Sequence, residues 1–198
     1  MWNFYEWEDG LDGNLKGAFN VQSEEEYDLA LNTLLSYAVY RMISINERLK
    51  FDTDRLISTK NALNSAIHEY FYRPDFDLYE TRKGSAHFSK LTNALAILSG
   101  VADKEVANRI AHRLTTDDGL VDASLSMRAF LYDALLMVNR EKYGKYVLDD
   151  IERIYTPMLK NGNNTVWETE LGEADFDNAG SLCHGWSAIP IYYFNVLK

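Results

Sequence analysis

The helical spacing of apolar residues is the feature that most constrains this chain. A capping box formed by Ser23 and Glu26 precedes a run of large apolar side chains three or four residues apart. These side chains are Tyr27, Leu31, Leu34, Leu35, Ala38, Met42 and Ile45. Because one side of a helix repeats about every 3.6 residues, this spacing predicts a helix with an apolar face.

Further helices follow along the chain at the same spacing. A second helix is predicted to begin at Asp54 and to end before the turn at Pro74. Its predicted buried side consists of Leu56, Leu63, Ile67 and Phe71. A short extended piece is expected at Leu78 and Tyr79. A third helix near residues 87–99 is closed by Gly100, which favours a left-handed cap.

The second half of the chain is also predicted to be helical. A fourth helix is capped by Asp103 and runs through Leu114, before a loop at residues 115–119. A fifth helix contains Leu125, Phe130, Leu131, Ala134, Leu135 and Val138, and a sixth contains Tyr146, Val147, Ile151, Ile154, Tyr155 and Met158. Residues 165–180 are polar and acidic, which predicts a long loop. A last helix is expected to open at Ser181 and to be kinked or shortened by Pro190.

These patterns give an all-α fold of about seven helices, without a convincing sheet. No repeat of fixed period, low-complexity tract or internal domain boundary is visible. We therefore interpret residues 1–198 as a single domain.

Composition narrows the classes of partner. The hydrophobic fraction of 46% is sufficient for a buried core, and the net charge of −10 disfavours binding to a phosphate backbone. No apolar stretch reaches the roughly 18–20 residues of a membrane span. The segment from Trp2 to Gly13 is not typical of a signal peptide, and localisation stays open because the chain can be a piece of a longer protein. The single cysteine, Cys183, cannot form an internal disulfide.

Two segments combine aromatic and acidic residues. The first, WNFYEWEDGLDG at residues 2–13, supplies rings for stacking on a sugar and carboxylates for its hydroxyl groups. Alternatively, it is a terminal segment that packs its rings on the core. The second places Trp167 beside Glu168, upstream of His184 at the predicted start of the last helix. A ring that desolvates a carboxylate tunes its basicity, so Glu168 is a candidate general base, although such pairs also occur as structural contacts.

Other chemistries lack a motif. Cys183 and His184 have no second pair of ligands at zinc spacing, and His68, His87 and His112 lie on separate predicted helices. Asp175, Asp177 and Asn178 have no closing Glu of a calcium loop. No phosphate-binding glycine loop or nucleophile elbow is present in the sequence. The sequence therefore predicts no metal and no cofactor.

Several motifs together resemble the α-L-rhamnosidases of glycoside hydrolase family 78. SLCHGWSAIPIYY at residues 181–193 resembles the closing motif of that family, and NNTVWE at residues 163–168 resembles its upstream Trp-Glu segment. WNFYEWEDGLDG and LTNALAILSGV resemble two further segments, in the expected order. Together these motifs span almost the whole chain.

The resemblance implies a fold and a reaction. The fold is part of an (α/α)6 toroid of six helical hairpins, and this chain would be its C-terminal half. The reaction is hydrolysis of terminal α-L-rhamnosides with inversion, which needs a carboxylic acid on the leaving oxygen and a carboxylate that activates water. The resemblance implies that Glu168 is the base. It also implies the substrate contacts, which are His184, Trp167, Trp186, Trp7 and Glu6.

One part of the family pattern is not found. The general acid of that family lies in an acidic, Arg-containing motif upstream of the segments present here. The isolated chain is therefore expected to have little or no activity, and its missing neighbours should leave an apolar face exposed that favours self-association. Two alternatives stay open: a non-catalytic carbohydrate-binding remnant, which would not need Glu168, and a helical interaction module, which would bind no sugar.

Overall fold

A computed structural model describes Glu6, Glu8, Leu11, residues 27–160, Gly162 and residues 164–198. Its contacts divide the chain into two compact units. The first unit consists of Met1–Ser23 and Asp122–Lys198, and the second of Glu24–Val121. That residues 1–198 form one domain stays a prediction.

Helix α1 opens the unit formed by Glu24–Val121. It spans Leu29–Leu49, and the side chain of Asp28 caps it by accepting a hydrogen bond from the Leu31 N–H. The predicted capping box, Ser23 with Glu26, lies outside the described residues. The prediction that it starts this helix is wrong, because Asp28 occupies the N-cap.

The packed face of α1 consists of small and polar side chains as well as apolar ones. Its buried residues are Leu29, Ala30, Thr33, Ser36 and Ile43. The large apolar side chains that predicted this helix lie on the exposed side, where Leu35 and Ile45 are 55% and 52% exposed. An exposed apolar face, expected from the sequence, is thus present on α1.

Helix α2, at Asp54–Phe71, follows α1 after residues 50–53 and packs against it as a helical hairpin. It buries Ile67 and Phe71, as predicted, whereas Leu56 and Leu63 of the same predicted side are half-buried. The predicted extended piece is confirmed as strand β2, Leu78–Tyr79, which pairs antiparallel with β1, Tyr72–Arg73. The turn between these strands contains Pro74.

Helices α3 and α4 complete this unit. Helix α3, Lys90–Leu98, is capped by Ser89 and packs against α1, α4 and β2. Gly100 follows it with φ of 72°, which confirms the predicted left-handed position. Helix α4, Lys104–Thr116, begins where Asp103 accepts hydrogen bonds from the Glu105 and Val106 N–H groups, and it ends two residues later than predicted.

Helix α5, Arg128–Lys160, dominates the other unit. Two helices were predicted here, and a break at Asn139 divides α5 into two segments, since the φ and ψ of this residue are −161° and 100°. The Asn139 side chain accepts a hydrogen bond from the Lys142 N–H at 2.9 Å and so caps the second segment.

Helix α6, Pro190–Val196, is shorter than the predicted last helix. The start expected at Ser181 is wrong, since residues 181–184 are not helical and only a 3-10 turn, Gly185–Ser187, precedes α6. Pro190 occupies the first turn of α6, where its missing N–H leaves no hydrogen bond unmade. The Tyr193 hydroxyl joins α6 to α5 by donating to the Asp133 carboxylate at 2.8 Å.

The described residues thus contain six α-helices, one of them broken, and one pair of two-residue strands. This confirms the prediction of an all-α fold. It also confirms the loop predicted at residues 165–180, which contains only a 3-10 turn at Gly172–Ala174.

Candidate active site

The stretches around Trp167 and His184, which form the second aromatic and acidic segment, pair with each other through their backbones. The Glu168 N–H donates to the Ser181 carbonyl at 2.8 Å, and the His184 N–H donates to the Val166 carbonyl at 2.9 Å. The indole N–H of Trp186 donates to the Glu168 carbonyl at 3.0 Å. Residues 166–168 are therefore held against residues 181–186, although residues 169–180 separate the two stretches in the sequence.

The Glu168 carboxylate has one protein partner and one open oxygen. Its Oε2 accepts a hydrogen bond from the Ser181 N–H at 3.0 Å. Its Oε1 has no hydrogen bond to any described residue, and the side chain is half-buried. This arrangement orients the carboxylate and leaves one oxygen able to accept a proton or a hydrogen bond.

A cavity of about 240 Å³ lies beside Glu168. Its lining combines carboxylates, small hydroxyl side chains and one large ring. The residues that line it are Glu8, Asp122, Ala123, Ser124, Leu125, Ser126, Glu168, Thr169, Glu170, Leu171, Asp175 and Trp186. Glu168 and Trp186, predicted from two different motifs, therefore share one cavity.

The other predicted contacts have different positions. Trp167 is buried, and the lining drawn from the described residues includes neither Trp167 nor His184. The His184 ring stacks on Trp186, with ring centroids 3.6 Å apart. Glu6 is buried outside this lining, and Trp7 lies outside the described residues. Roles for these four residues in substrate binding stay predictions.

Arg128 organises the walls of the cavity. Its guanidinium is almost fully buried and donates to Asp150 at 3.0 Å, to Asp122 at 3.1 Å and to the Ala123 carbonyl. It also lies 3.2 Å from the Glu170 carboxylate. One buried cation thereby ties two wall segments, around residues 122 and 170, to helix α5.

Arg153 and Tyr132 complete this network around Asp150. Arg153 donates to Asp150 at 2.8 Å and to Glu170 at 2.9 Å, and the Tyr132 hydroxyl donates to Asp150 at 2.8 Å. Burial opposes ionisation of Asp150, but the charge of Arg128 and these hydrogen bonds outweigh it and lower its pKa. Sequence analysis missed this network, because Arg128 and Asp150 lie 22 residues apart on α5 and their partners Asp122 and Glu170 lie in loops outside that helix.

Glu8 also lines the cavity, and no sequence motif marked it individually. Burial, together with the nearby carboxylates of Glu6, Asp122 and Glu170, raises its pKa to about 7 against the opposing charge of Arg128. The acidic segment at residues 2–13 was its only sequence signal. A carboxyl group that titrates near neutral pH is available for proton transfer or for donating a hydrogen bond.

Within the described residues, no group of three or more His, Cys, Asp or Glu side chains is placed to hold a metal ion. None of the described helices has the length and apolar character needed to cross a membrane.

The helical fold is similar to parts of solved rhamnosidase structures. A search of solved structures relates 98% of the chain to parts of two rhamnosidases. One is a GH78 family rhamnosidase of Bacillus sp. GL1, with 23% sequence identity and a TM-score of 0.76. The other is a rhamnosidase from Klebsiella oxytoca with rhamnose bound, with 19% identity and a TM-score of 0.69.

These likenesses confirm, for the fold, the resemblance found in the sequence. The chain covers 20% of the Bacillus protein and 38% of the Klebsiella protein, so it corresponds to a minor part of each. No protein-family profile and no curated protein matches the sequence.

Proposed function

We propose that this chain is part of the catalytic helical barrel of an α-L-rhamnosidase-like glycoside hydrolase, and that Glu168 is its general base. The observation that carries the proposal is the position of Glu168 in a cavity that Trp186 also lines, within a fold similar to solved rhamnosidases. In the complete protein, this part would be the C-terminal half of an (α/α)6 toroid, and the substrate would be a terminal α-L-rhamnoside.

The geometry of Glu168 suits a base in an inverting reaction. The Ser181 N–H fixes Oε2, and the open Oε1 can take a proton from a water molecule. That water attacks the anomeric carbon while a carboxylic acid, roughly 6.5–9.5 Å from the base, protonates the leaving oxygen on the opposite face. We infer that the acid comes from another part of the complete enzyme, and that the isolated chain has little or no activity.

The walls around Glu168 would bind the sugar. Trp186 offers an aromatic face to its C–H groups, and His184, stacked on that ring, would donate to a hydroxyl group or help to orient the indole. Trp167 would act by supporting the loop from beneath, because it is buried next to Gly172. Glu6 and Trp7 stay candidate contacts on the sequence resemblance alone.

Substitution of Glu168 tests the proposal in the polypeptide encoded by the complete reading frame that contains this chain. Glu168→Gln removes the proton acceptor and keeps the shape, so hydrolysis of an aryl α-L-rhamnoside should fall by about 10²–10⁴-fold. Glu173→Gln, at an exposed carboxylate of the same loop, is the matched control and should leave the rate unchanged. Equal rates for the two variants would remove Glu168 from the mechanism.

A carbohydrate-binding protein without turnover is the second candidate. The observation that favours it is that the cavity is present within this chain, whereas the chain covers only 20% and 38% of the two rhamnosidases. It predicts sugar binding that does not depend on the Glu168 carboxylate, together with no hydrolysis by the complete protein.

A further inference from the structure

Two groups in the cavity wall make no side-chain hydrogen bond to a described residue, although most of their neighbours do. Asp122 and Glu170 are paired with Arg128, and Oε2 of Glu168 is bonded to Ser181. In contrast, Glu8 has no side-chain hydrogen bond or ion pair to a described residue. The hydroxyl of Thr169 also has no hydrogen-bond partner among the described residues.

The Thr169 hydroxyl is the clearer of the two signals. Thr169 is only 8% exposed, its Oγ1 is buried, and the residue lines the cavity. Burial of a hydroxyl that makes no hydrogen bond is unfavourable, so such groups are rare in folded proteins. Because the residue lines the cavity, a change of its χ1 rotamer would present this hydroxyl to a ligand hydroxyl there.

Glu8 adds a group that can both donate and accept. The charged groups that act on it are Glu6, Asp122, Glu170 and Arg128. Three of these four are negative, which favours the protonated form of the Glu8 carboxyl. A neutral carboxyl donates one hydrogen bond and accepts others, which matches the hydroxyl group of a sugar.

The rest of the lining defines the chemical class of the ligand. Carboxylates of Asp122, Glu168 and Glu170 would repel an anionic sugar such as a uronide. Trp186 supplies an apolar ring for the C–H face of a pyranose. A neutral polyhydroxy compound satisfies both conditions.

We propose that Glu8 and Thr169 are two further sugar-contacting residues of this cavity, each hydrogen-bonded to a hydroxyl of a neutral sugar held against Trp186. The inference rests on the proposed function in one respect, because it treats the cavity as the sugar site. It extends that function by naming two contacts that no sequence motif indicated.

Nuclear magnetic resonance on the isotopically labelled chain tests the inference directly. L-Rhamnose, D-glucose and D-galactose are titrated in turn, with D-glucuronate as the anionic comparison. At least one neutral sugar should shift the signals of the Thr169 methyl group and the Glu8 carboxyl carbon, whereas glucuronate should not. If none of the neutral sugars shifts either signal, or if only glucuronate or a simple organic cation does, the inference is wrong.

Variants then test whether the two side chains contribute to affinity. Thr169→Val and Glu8→Ala should each weaken binding of the neutral sugar about tenfold, a typical effect of one lost hydrogen bond. Glu173→Ala, at an exposed carboxylate, should bind like the original chain. Circular dichroism checks that each variant is folded. If a variant is unfolded, the nuclear magnetic resonance titration of the original chain alone tests the two contacts.

The two proposals fail in different experiments. Sugar binding that Thr169→Val and Glu8→Ala leave unchanged would overturn the two contacts and leave Glu168 as the proposed base. Conversely, sugar contacts at these residues, together with unaltered hydrolysis after Glu168→Gln, would overturn the catalytic proposal alone.

Discussion

Folding disfavours the charged form of the Glu8 carboxyl group, because it buries this group near other carboxylates. Its folded-state pKa of about 7 lies above the ordinary value of 4.5. Between these two values, the folded chain retains a proton that the unfolded chain has lost. The contribution of Glu8 to the free energy of unfolding is therefore lost as the pH rises between these two pKa values. Above the higher value, Glu8 causes no further loss.

Glu8→Gln should remove this pH dependence, because the amide stays neutral. We expect the variant to be more stable than the original chain at about pH 8 and to differ less at about pH 5. Urea unfolding of both proteins at the two pH values measures the difference. Glu173→Gln serves as the exposed control, and a Glu8→Gln effect that is equal at both pH values would contradict the raised pKa.

Gly172 lies at the turn that follows Glu168 and has φ of 57°. A Cβ atom added there would lie 2.6 Å from the Trp167 ring and 2.9 Å from the Leu182 side chain. Gly84 has a similar φ of 78°, but its Cβ would enter open space. Steric overlap therefore affects only Gly172, whereas backbone strain affects both residues.

Gly172→Ala should destabilise the chain by about 1–3 kcal/mol more than Gly84→Ala, because it adds overlap to the left-handed strain of about 1–2 kcal/mol. Thermal and urea unfolding of the two variants provide the comparison. Equal losses would show that the loop around Trp167 adapts to the added methyl group.

Single residues of the site were predictable only where a motif marked them. Glu168 and Trp186 come from family-like segments, and the structure places both on one cavity. Glu8, Thr169 and Arg128 were not predicted, because their importance depends on neighbours that are distant in the sequence. A lone threonine or arginine gives no sequence signal, because its role depends on contacts that are made, or left unmade, only in the folded chain.

At the scale of elements, end signals predicted helices well where the capping residue was unambiguous. Asp103 starts α4 and Gly100 follows α3, as the sequence indicated. The Ser181 start was wrong because Ser181 pairs with Glu168 in the loop. The first helix was shifted because Asp28 provides a competing cap. Local preference thus decides a boundary only when no tertiary contact or second cap competes.

Arg128 links α5 to the cavity walls, and its removal should affect the whole unit that contains them. Arg128→Met would leave Asp122, Asp150 and Glu170 without their central cation, so we expect a loss of about 3–5 kcal/mol in the free energy of unfolding. Lys145→Met, which removes an exposed ion pair with Asp149, should have little effect. Similar losses in the two variants, measured by urea unfolding, would contradict the role given to Arg128.

At the scale of the whole molecule, the exposed face of α1 follows from the proposed origin of the chain. Leu31, Leu35, Met42 and Ile45 are each at least 45% exposed along this helix. Apolar faces of this kind in soluble proteins usually contact another surface. We propose that the remaining helices of the catalytic barrel cover it in the complete enzyme.

The isolated chain should consequently self-associate in a concentration-dependent manner. Substitution of both Leu35 and Ile45 by Glu should shift the equilibrium towards monomer, whereas Glu47→Gln on the same helix should not. Sedimentation velocity across a concentration series measures this equilibrium. A chain that stays monomeric at every concentration would argue against a covered face in the parent protein.

Hydrolysis by the complete gene product tests the central claim most directly. The polypeptide encoded by the full reading frame, with and without Glu168→Gln, is incubated with an aryl α-L-rhamnoside, and the anomer released first is identified by nuclear magnetic resonance. The proposed function predicts release of the inverted anomer and a loss of rate of about 10²–10⁴-fold in the variant. Absence of hydrolysis by the original protein, release of the retained anomer, or an unchanged rate in the variant would contradict it.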